Sequence, residues 1–513
     1  MKLGDALARS VRCHPDKPAL VTDDGRSFTY AELDDRSTRL ANAVTDRIGA
    51  ERFAVLAINH FSAIESMWAG NKRGLATVQL SYRATVTELQ QMADTAEAEA
   101  LIFDDHNADD ALELLDRGAF DVAIHAGDRD VDHEAVESYE AVLDEADPSL
   151  DDSLPADDEC AVLHTSGTTS VPKAVAFDSH QLWLGAYQGV MEHGIDRTDT
   201  AVVTTPWYHM VTSDAWLYPH WLAGATTVLH SRFDPEGVLE LVEEHGATGL
   251  LAVPTQLEAL TAAQAEGGYD TGSLRYVRTA GAVLTEELVK RTTEHLCEDL
   301  YNTYGMTEGG PNLTFAHPAD QRERPGTVGK ESFAWELRVV ESVPVDQHPD
   351  PEATVDAGER GEVIARGPGV PDGYIDNPAA EKKSFFGEWL RTRDVARIDE
   401  EGFLYVVDRV DNMFISGGEN VYPGEVEAVL EAHEAVDEAI VVGLTDEYWG
   451  NKVAAVVVTD GSVDEAALDS YCKDYDRLAD YKRPQEYALR TEPLPKTDTG
   501  TVERDAVVNE HFG

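Results

Sequence analysis

The chain has 513 residues, 42% of them hydrophobic, so it is too long for one small module and too apolar for a disordered chain. Asp and Glu total 97 against 41 Lys and Arg, a formal net charge of −56. That charge repels nucleic acid and anionic lipid and excludes either as a primary partner.

Lysine is the scarcer cation, with 12 Lys to 29 Arg. The acids run along the whole chain, and self-repulsion on that scale opposes compaction in dilute buffer. At about 1 M salt the Debye length is roughly 3 Å and the repulsion is screened, so the composition reads as halophilic, suited to a high-salt cytoplasm. Cys13, Cys160, Cys297 and Cys472 are far apart and have no His at metal spacing, which suggests neither a disulfide framework nor a zinc site. The first twenty residues lack an apolar signal core, and no 18-residue apolar run follows. The sequence therefore predicts a soluble, cytoplasmic protein with no membrane span.

Apolar, β-branched runs occur at 53–59, 76–80, 100–105, 121–126, 159–165, 200–206, 226–231 and 248–254. Helical patterns lie between several of them, as at 235–246 and 254–267. Strand–helix alternation predicts an α/β protein of parallel sheets with covering helices. Residues 326–410 read as shorter strands with turn signals, a small antiparallel unit. From 411 an α+β module begins, with a helix opening near Pro423, and the domain boundary is placed at 410/411.

Five segments carry chemistry. Residues 164–173 run His164-Thr165-Ser166-Gly167-Thr168-Thr169-Ser170-Val171-Pro172-Lys173 after a strand. Backbone N–H groups and hydroxyls in such a loop surround phosphate oxygens, and the lysine adds a point charge. It is not a Walker loop. Pro172 stands where the second glycine belongs and removes an N–H, and Ala174 replaces the Ser or Thr. Next come Asn302 and the run Tyr304-Gly305-Met306-Thr307-Glu308. Asp394 and Arg409 follow, then residues 415–423 with Gly417 and Gly418, and last Pro495-Lys496-Thr497 with Gly500.

In this order and spacing the five segments resemble the adenylate-forming superfamily of acyl- and aryl-CoA ligases, luciferases and adenylation domains. The likeness covers essentially the whole chain and is closest in texture to 4-chlorobenzoate–CoA ligases. It implies a large N-terminal domain over 1–410, built of two αβ sheets plus a barrel-like unit at 326–410, and a small mobile C-terminal domain over 411–513. It also implies two half-reactions. A carboxylate attacks the α-phosphorus of Mg-ATP to give acyl-AMP and pyrophosphate, and CoA thiolate then displaces AMP. Adenylation is needed because a carboxylate has no good leaving group of its own.

The resemblance implies residue roles. Thr165, Ser166, Gly167, Thr168, Thr169 and Lys173 hold the β- and γ-phosphates. Gly281, Ala282, Asn302, Tyr304, Gly305, Met306 and Thr307 wall the adenine and α-phosphate. Glu308 is the magnesium carboxylate, Asp394 takes the ribose hydroxyls, and Arg409 is its companion donor. Lys496 bridges carboxylate and α-phosphate, and Asp411 is the hinge. His209 gates the acyl pocket, which His209, Met210, Val211, Leu251, Ala280, Thr303, Gly305, Gly310 and Pro311 line. The small Ala280, Gly305 and Gly310 leave room for a flat ring or a short-to-medium chain. Gly417, Gly418 and Trp449 flank the pantetheine thiol, and Arg83 and Arg483 meet the CoA nucleotide.

Some positions depart from the family pattern. Ser170 and Ala174 stand where glycines are usual, Thr501 where lysine is common, and Thr303 where chlorobenzoate ligases are apolar. The resulting expectation is an ATP-dependent carboxylate–CoA ligase for an aryl or short/medium-chain acid, using ATP, Mg2+ and CoA. The alternatives are an adenylation enzyme that loads a carrier protein and, within the family, an o-succinylbenzoate–CoA ligase. A homodimer is left open.

Overall fold

The computed structural model describes residues 2–48, 51–149, 159–165, 172–282, 284–344, 346–416, 419–446, 448–475, 478–496 and 502–512. The β-branched runs form strands, and those buried on both faces join parallel sheets, where apolar side chains can be covered by helices on either side. Two compact units result. The first comprises Met1–Leu337 and Ala365–Leu390, the second Arg338–Ile364 and Arg391–Gly513. This division assigns residues 391–410 to the same unit as the C-terminal module.

The first unit holds two large sheets. One has seven strands in the order Val136–Ser138, Ala123–Ala126, Ala100–Asp104, Arg52–Leu56, Ala76–Gln79, Glu159–Thr165, Lys173–Asp178. Its pairings are parallel except the last, an antiparallel hairpin that sets Thr165 opposite Lys173. The other sheet has nine strands. Its parallel centre is Leu300–Tyr304, Tyr276–Ala280, Gly249–Leu251, Thr200–Val203, Thr226–Leu229 and Pro18–Thr22. Antiparallel strands Thr314–Ala316 and Ser27–Thr29 flank it.

Helix ends follow the local sequence. Pro235 and Pro254 open helices Pro235–His245 and Pro254–Gly267, where a missing N–H costs nothing. Asp178 caps Ser179–His193 through the N–H groups of His180 and Gln181, while Gln181 Oε1 accepts from Asp178 N, and Gly194 ends the helix at φ +61°. Trp68, Trp207, Trp216 and Trp221 are wholly buried in the main core.

Strands Glu336–Val340, Arg360–Arg366, Phe385–Phe386, Trp389–Ile398 and Leu404–Arg409 form a five-stranded sheet in the segment read as barrel-like. In the second unit, Val436–Asp446 and Gly450–Thr459 pair antiparallel, and Glu486–Arg490 joins them in parallel. Helices Pro423–Glu431 and Glu465–Asp474 contribute Val426, Leu430, Leu468 and Cys472 to its core. All four cysteines lie among the described residues, and none of them forms a disulfide. Among the described residues no helix is long and apolar enough to cross a membrane.

Candidate active site

In the first unit, the hairpin register joins the two ends of the hydroxyl-rich loop, Thr165 and Lys173. Ser166, Gly167, Thr168 and Thr169 lie outside the described residues. Lys173 Nζ sits 4.6 Å from the ring centroid of Tyr374 and 3.4 Å from its hydroxyl. That hydroxyl donates to Glu308 Oε1 at 2.7 Å. Glu308 and Tyr374 are only 5% and 6% exposed. The structure thus links the predicted phosphate lysine to the predicted magnesium carboxylate through a tyrosine that the sequence reading missed. Tyr374 falls in an unremarkable Gly-Tyr turn, 66 residues from Glu308, and no spacing rule points to it.

Glu308 lies in the short turn Thr307–Gly309, just after strand Leu300–Tyr304. The glycines around it have backbone reasons to be glycine. A Cβ on Gly305 would meet Pro311 O at 2.0 Å, and Gly310 has φ +63° with Gly369 O at 2.4 Å from any Cβ. Backbone packing by itself therefore requires glycine at both positions. Asn302 is buried and its amide donates to Thr327 O at 3.0 Å, so its side chain is committed to the fold. Gly281 follows strand Tyr276–Ala280 at φ +89°, with Ala282 exposed beside it. Tyr304, Met306 and Thr307 are half-buried.

Of the predicted acyl-pocket residues, Met210, Leu251, Ala280 and Thr303 are buried, and Val211 is partly buried. His209 is half-buried against Tyr208, with ring centroids 4.5 Å apart. It starts a turn in which Thr212 N and Ser213 N donate to His209 O, and a π-helical turn, Ser213–Leu217, continues it. Beneath Thr303 lies Arg278, also missed from sequence. It is fully buried, and its Nη2 donates to Thr303 Oγ1 at 3.1 Å. Burial depresses the Arg278 pKa to about 9.

A cavity of about 600 Å³ in the same unit is lined by Tyr82, Arg83, His106, Arg232 and Phe233, among others. Two guanidinium groups beside two aromatic rings suit a nucleotide phosphate and base.

In the second unit, strand register sets Asp394 opposite Arg409, and Arg409 Nη1 donates to Asp394 Oδ1 at 2.8 Å. Arg409 also approaches Asp411 at 3.6 Å, and Arg393 Nη1 reaches Asp411 Oδ1 at 3.3 Å. Arg393 has φ +63°, a left-handed conformation that costs a non-glycine residue about 1–3 kcal/mol. Two arginines thus clasp the predicted hinge residue, and one of them also serves the predicted ribose acid. Lys496 pairs with Glu438, whose Oε2 also accepts from Leu494 N at 3.1 Å. Arg483 is engaged by Asp469 and, at 3.2 Å, by Asp480. Trp449 is half-buried, and its backbone N–H donates to Asp446 Oδ1 at 2.9 Å. Gly417 and Gly418 lie outside the described residues.

The chain matches known proteins along its whole length. The profile of the AMP-binding enzyme family matches residues 7–375, and that of the AMP-binding enzyme C-terminal domain matches residues 425–501. Feruloyl-CoA synthase of an Amycolatopsis species is 33% identical, with 100% of this chain and 99% of the relative covered. 2-Succinylbenzoate–CoA ligase of Bacillus licheniformis is 30% identical over 97% and 98%. Indoleacetate–CoA ligase of Aromatoleum aromaticum is 30% identical over 99% and 98%. Among solved structures, the anthranilate CoA ligase AuaEII in complex with anthranoyl-AMP superposes with a TM-score of 0.87 at 25% identity, over 100% of this chain and 97% of that one. O-succinylbenzoate CoA synthetase of Bacillus subtilis, in complex with ATP and magnesium ion, gives 0.82 at 27%, over 98% of each. The chain belongs to the AMP-binding enzyme family, the adenylate-forming acyl-CoA ligases.

Proposed function

We propose that this enzyme joins an aryl or arylalkyl carboxylic acid to CoA through an acyl-adenylate, at the expense of ATP. The observation that carries this reading is the end-to-end match to relatives named for feruloyl, succinylbenzoate and indoleacetate substrates, each an aromatic acid.

The residues supply the steps as follows. Lys173, with the hydroxyls of its loop, holds the β- and γ-phosphates of ATP. Asp394 accepts hydrogen bonds from the ribose hydroxyls, and Arg409 fixes that carboxylate. Lys496 moves from Glu438 to the carboxylate and α-phosphate, where its charge offsets the charge that builds during attack. Asp411 is the hinge about which residues 411–513 reorient between half-reactions. CoA then enters with its nucleotide against Arg83, and its thiolate expels AMP past His209, with Gly417, Gly418 and Trp449 beside the pantetheine.

Magnesium fits the residues present. Glu308 is one buried carboxylate, and among the described residues no group of three or more His, Cys, Asp or Glu forms a protein cage. One carboxylate plus substrate phosphates is a donor set that Mg2+ takes. When bound, the ion neutralises phosphate charge during adenylation. The net charge of −56 supports work in a high-salt cytoplasm.

The test is a panel of hydroxycinnamic, benzoic, succinylbenzoic, indoleacetic and medium-chain acids with ATP in high KCl, with and without CoA. AMP release and thioester formation are read together. CoA-dependent AMP release with an aromatic acid is expected. Turnover of aliphatic acids alone would overturn the substrate class, and acyl-AMP that CoA cannot discharge would overturn the acceptor.

A further inference from the structure

A phenol has one proton to donate, and Tyr374 gives its proton to a carboxylate. Its hydroxyl lies 2.7 Å from Glu308 Oε1, and a carboxylate can only accept. The oxygen's lone pairs face Ser384 Oγ at 3.2 Å and Lys173 Nζ at 3.4 Å. The lysine also lies over the ring, 4.6 Å from its centre. Ile375 N donates to Ala174 O at 2.9 Å, which ties the tyrosine's segment to the strand that begins at Lys173. Tyr374 also packs edge-on against Phe385, with ring centroids 5.6 Å apart. Among the described residues nothing donates to Glu308 Oε2.

We propose that Tyr374 is a positioning residue for adenylation. It holds Glu308 by one oxygen so that the other is presented to the cation that accompanies ATP, and it sets Lys173 at a fixed distance from that cation. This rests on the reading of Glu308 as the magnesium carboxylate and Lys173 as the phosphate lysine. The physical logic is that of an outer hydrogen bond. A carboxylate free to rotate meets its cation in many orientations, and a donor on one oxygen removes most of them. The shared tyrosine also couples the two charges, so that the phosphates between them are gripped from both sides at one spacing.

Tyr374→Phe keeps the ring, and with it the cation–π contact to Lys173, and deletes only the hydroxyl. Tyr374→Leu deletes both. Binding of Mg·ATP and of Mn·ATP is measured by calorimetry in high KCl without any acid substrate, so that no turnover is needed. Pyrophosphate release is then followed against free Mg2+, and thioester formation is followed from preformed acyl-AMP and CoA. Loss of an outer partner to a metal ligand typically costs about 10- to 100-fold in affinity or activity. Tyr374→Phe should therefore weaken Mg·ATP binding about 10-fold and raise the half-saturating Mg2+ for adenylation, while the thioester step, which has no metal-bound phosphates, stays within about twofold. Tyr374→Leu should weaken Mg·ATP further, through Lys173.

Glu308→Gln separates the two layers of the argument. If Glu308→Gln weakens Mg·ATP and a folded Tyr374→Phe does not, the positioning role is refuted and the carboxylate reading stands. If neither variant affects Mg·ATP, both fall. A Tyr374→Phe defect that is equal in the adenylation and thioester steps would mark a structural role and overturn the proposal.

Discussion

Asp214 is a buried carboxyl group, 1% exposed. Among the described residues no cation pairs with it, it accepts one hydrogen bond, from Ser213 Oγ at 2.7 Å, and its Oδ1 has no partner. Desolvation raises its pKa to about 7. In the unfolded chain the group ionises near pH 4, as an ordinary Asp does. Between these values the folded protein keeps a proton that the unfolded chain has lost, so stability falls as pH rises and levels off above about pH 7. Asp214→Asn keeps the shape and removes the titration. Relative to wild type, the variant should become more stable by about 3 kcal/mol between pH 5 and pH 8, from the displaced pKa. Urea unfolding in high KCl, followed by tryptophan fluorescence, reads this directly, because Trp216 lies two residues away in the same π-helical turn. The difference between variant and wild type cancels the pH response of the other acids. A gap that is flat from pH 5 to 8, or one that shrinks as pH rises, would refute the argument that this carboxyl is held neutral by burial.

Three further outcomes are expected. Lys496→Ala should cut adenylation about 10²- to 10³-fold and largely spare thioester formation from preformed acyl-AMP, since one preorganised charged donor is lost from one step only; equal loss in the two half-reactions, measured separately, would contradict the reorientation. Asp411→Pro fixes φ at the residue clasped by Arg393 and Arg409, so adenylation should survive and thioesterification fall sharply, and unchanged turnover would place the hinge elsewhere. The KM for CoA should fall as KCl rises from about 0.1 M toward 1 M, because long-range repulsion between a polyanion and a chain of charge −56 is screened more than close contact. Arg83→Ala should raise that KM, whereas Arg483→Ala should raise it less, because Asp469 and Asp480 already engage Arg483; a wild-type KM that climbs with salt while circular dichroism shows an intact fold would refute the repulsion argument.

The order of the motifs, the alternation of strands and helices, and the placement of Pro235, Pro254 and Pro423 at helix starts are all legible in contiguous residues. Each depends on chemistry within a few positions: a period, a missing N–H, a cluster of hydroxyls. Asp394 and Arg409 are marked in the sequence by the family resemblance, and the register of two neighbouring antiparallel strands pairs them in the structure.

What tertiary structure alone decided depends on neighbours that the chain brings from far away. Arg83 and Arg483 read alike in sequence and each lines a cavity, yet Arg83 shares its cavity of about 600 Å³ with Arg232, Tyr82 and Phe233, whereas Arg483, at one of about 440 Å³ in the second unit, is paired with Asp469 and Asp480. Gly305 and Gly310 are simply small residues in the sequence, and only the fold shows that Pro311 O and Gly369 O leave a side chain no place there. Tyr374 has no meaning until it meets Glu308 across 66 residues, and the depressed pKa of Arg278 comes from burial, which no local pattern displays. Desolvation and pairing are sums over everything within a few ångströms, so they become definite only when the fold has chosen which residues those are.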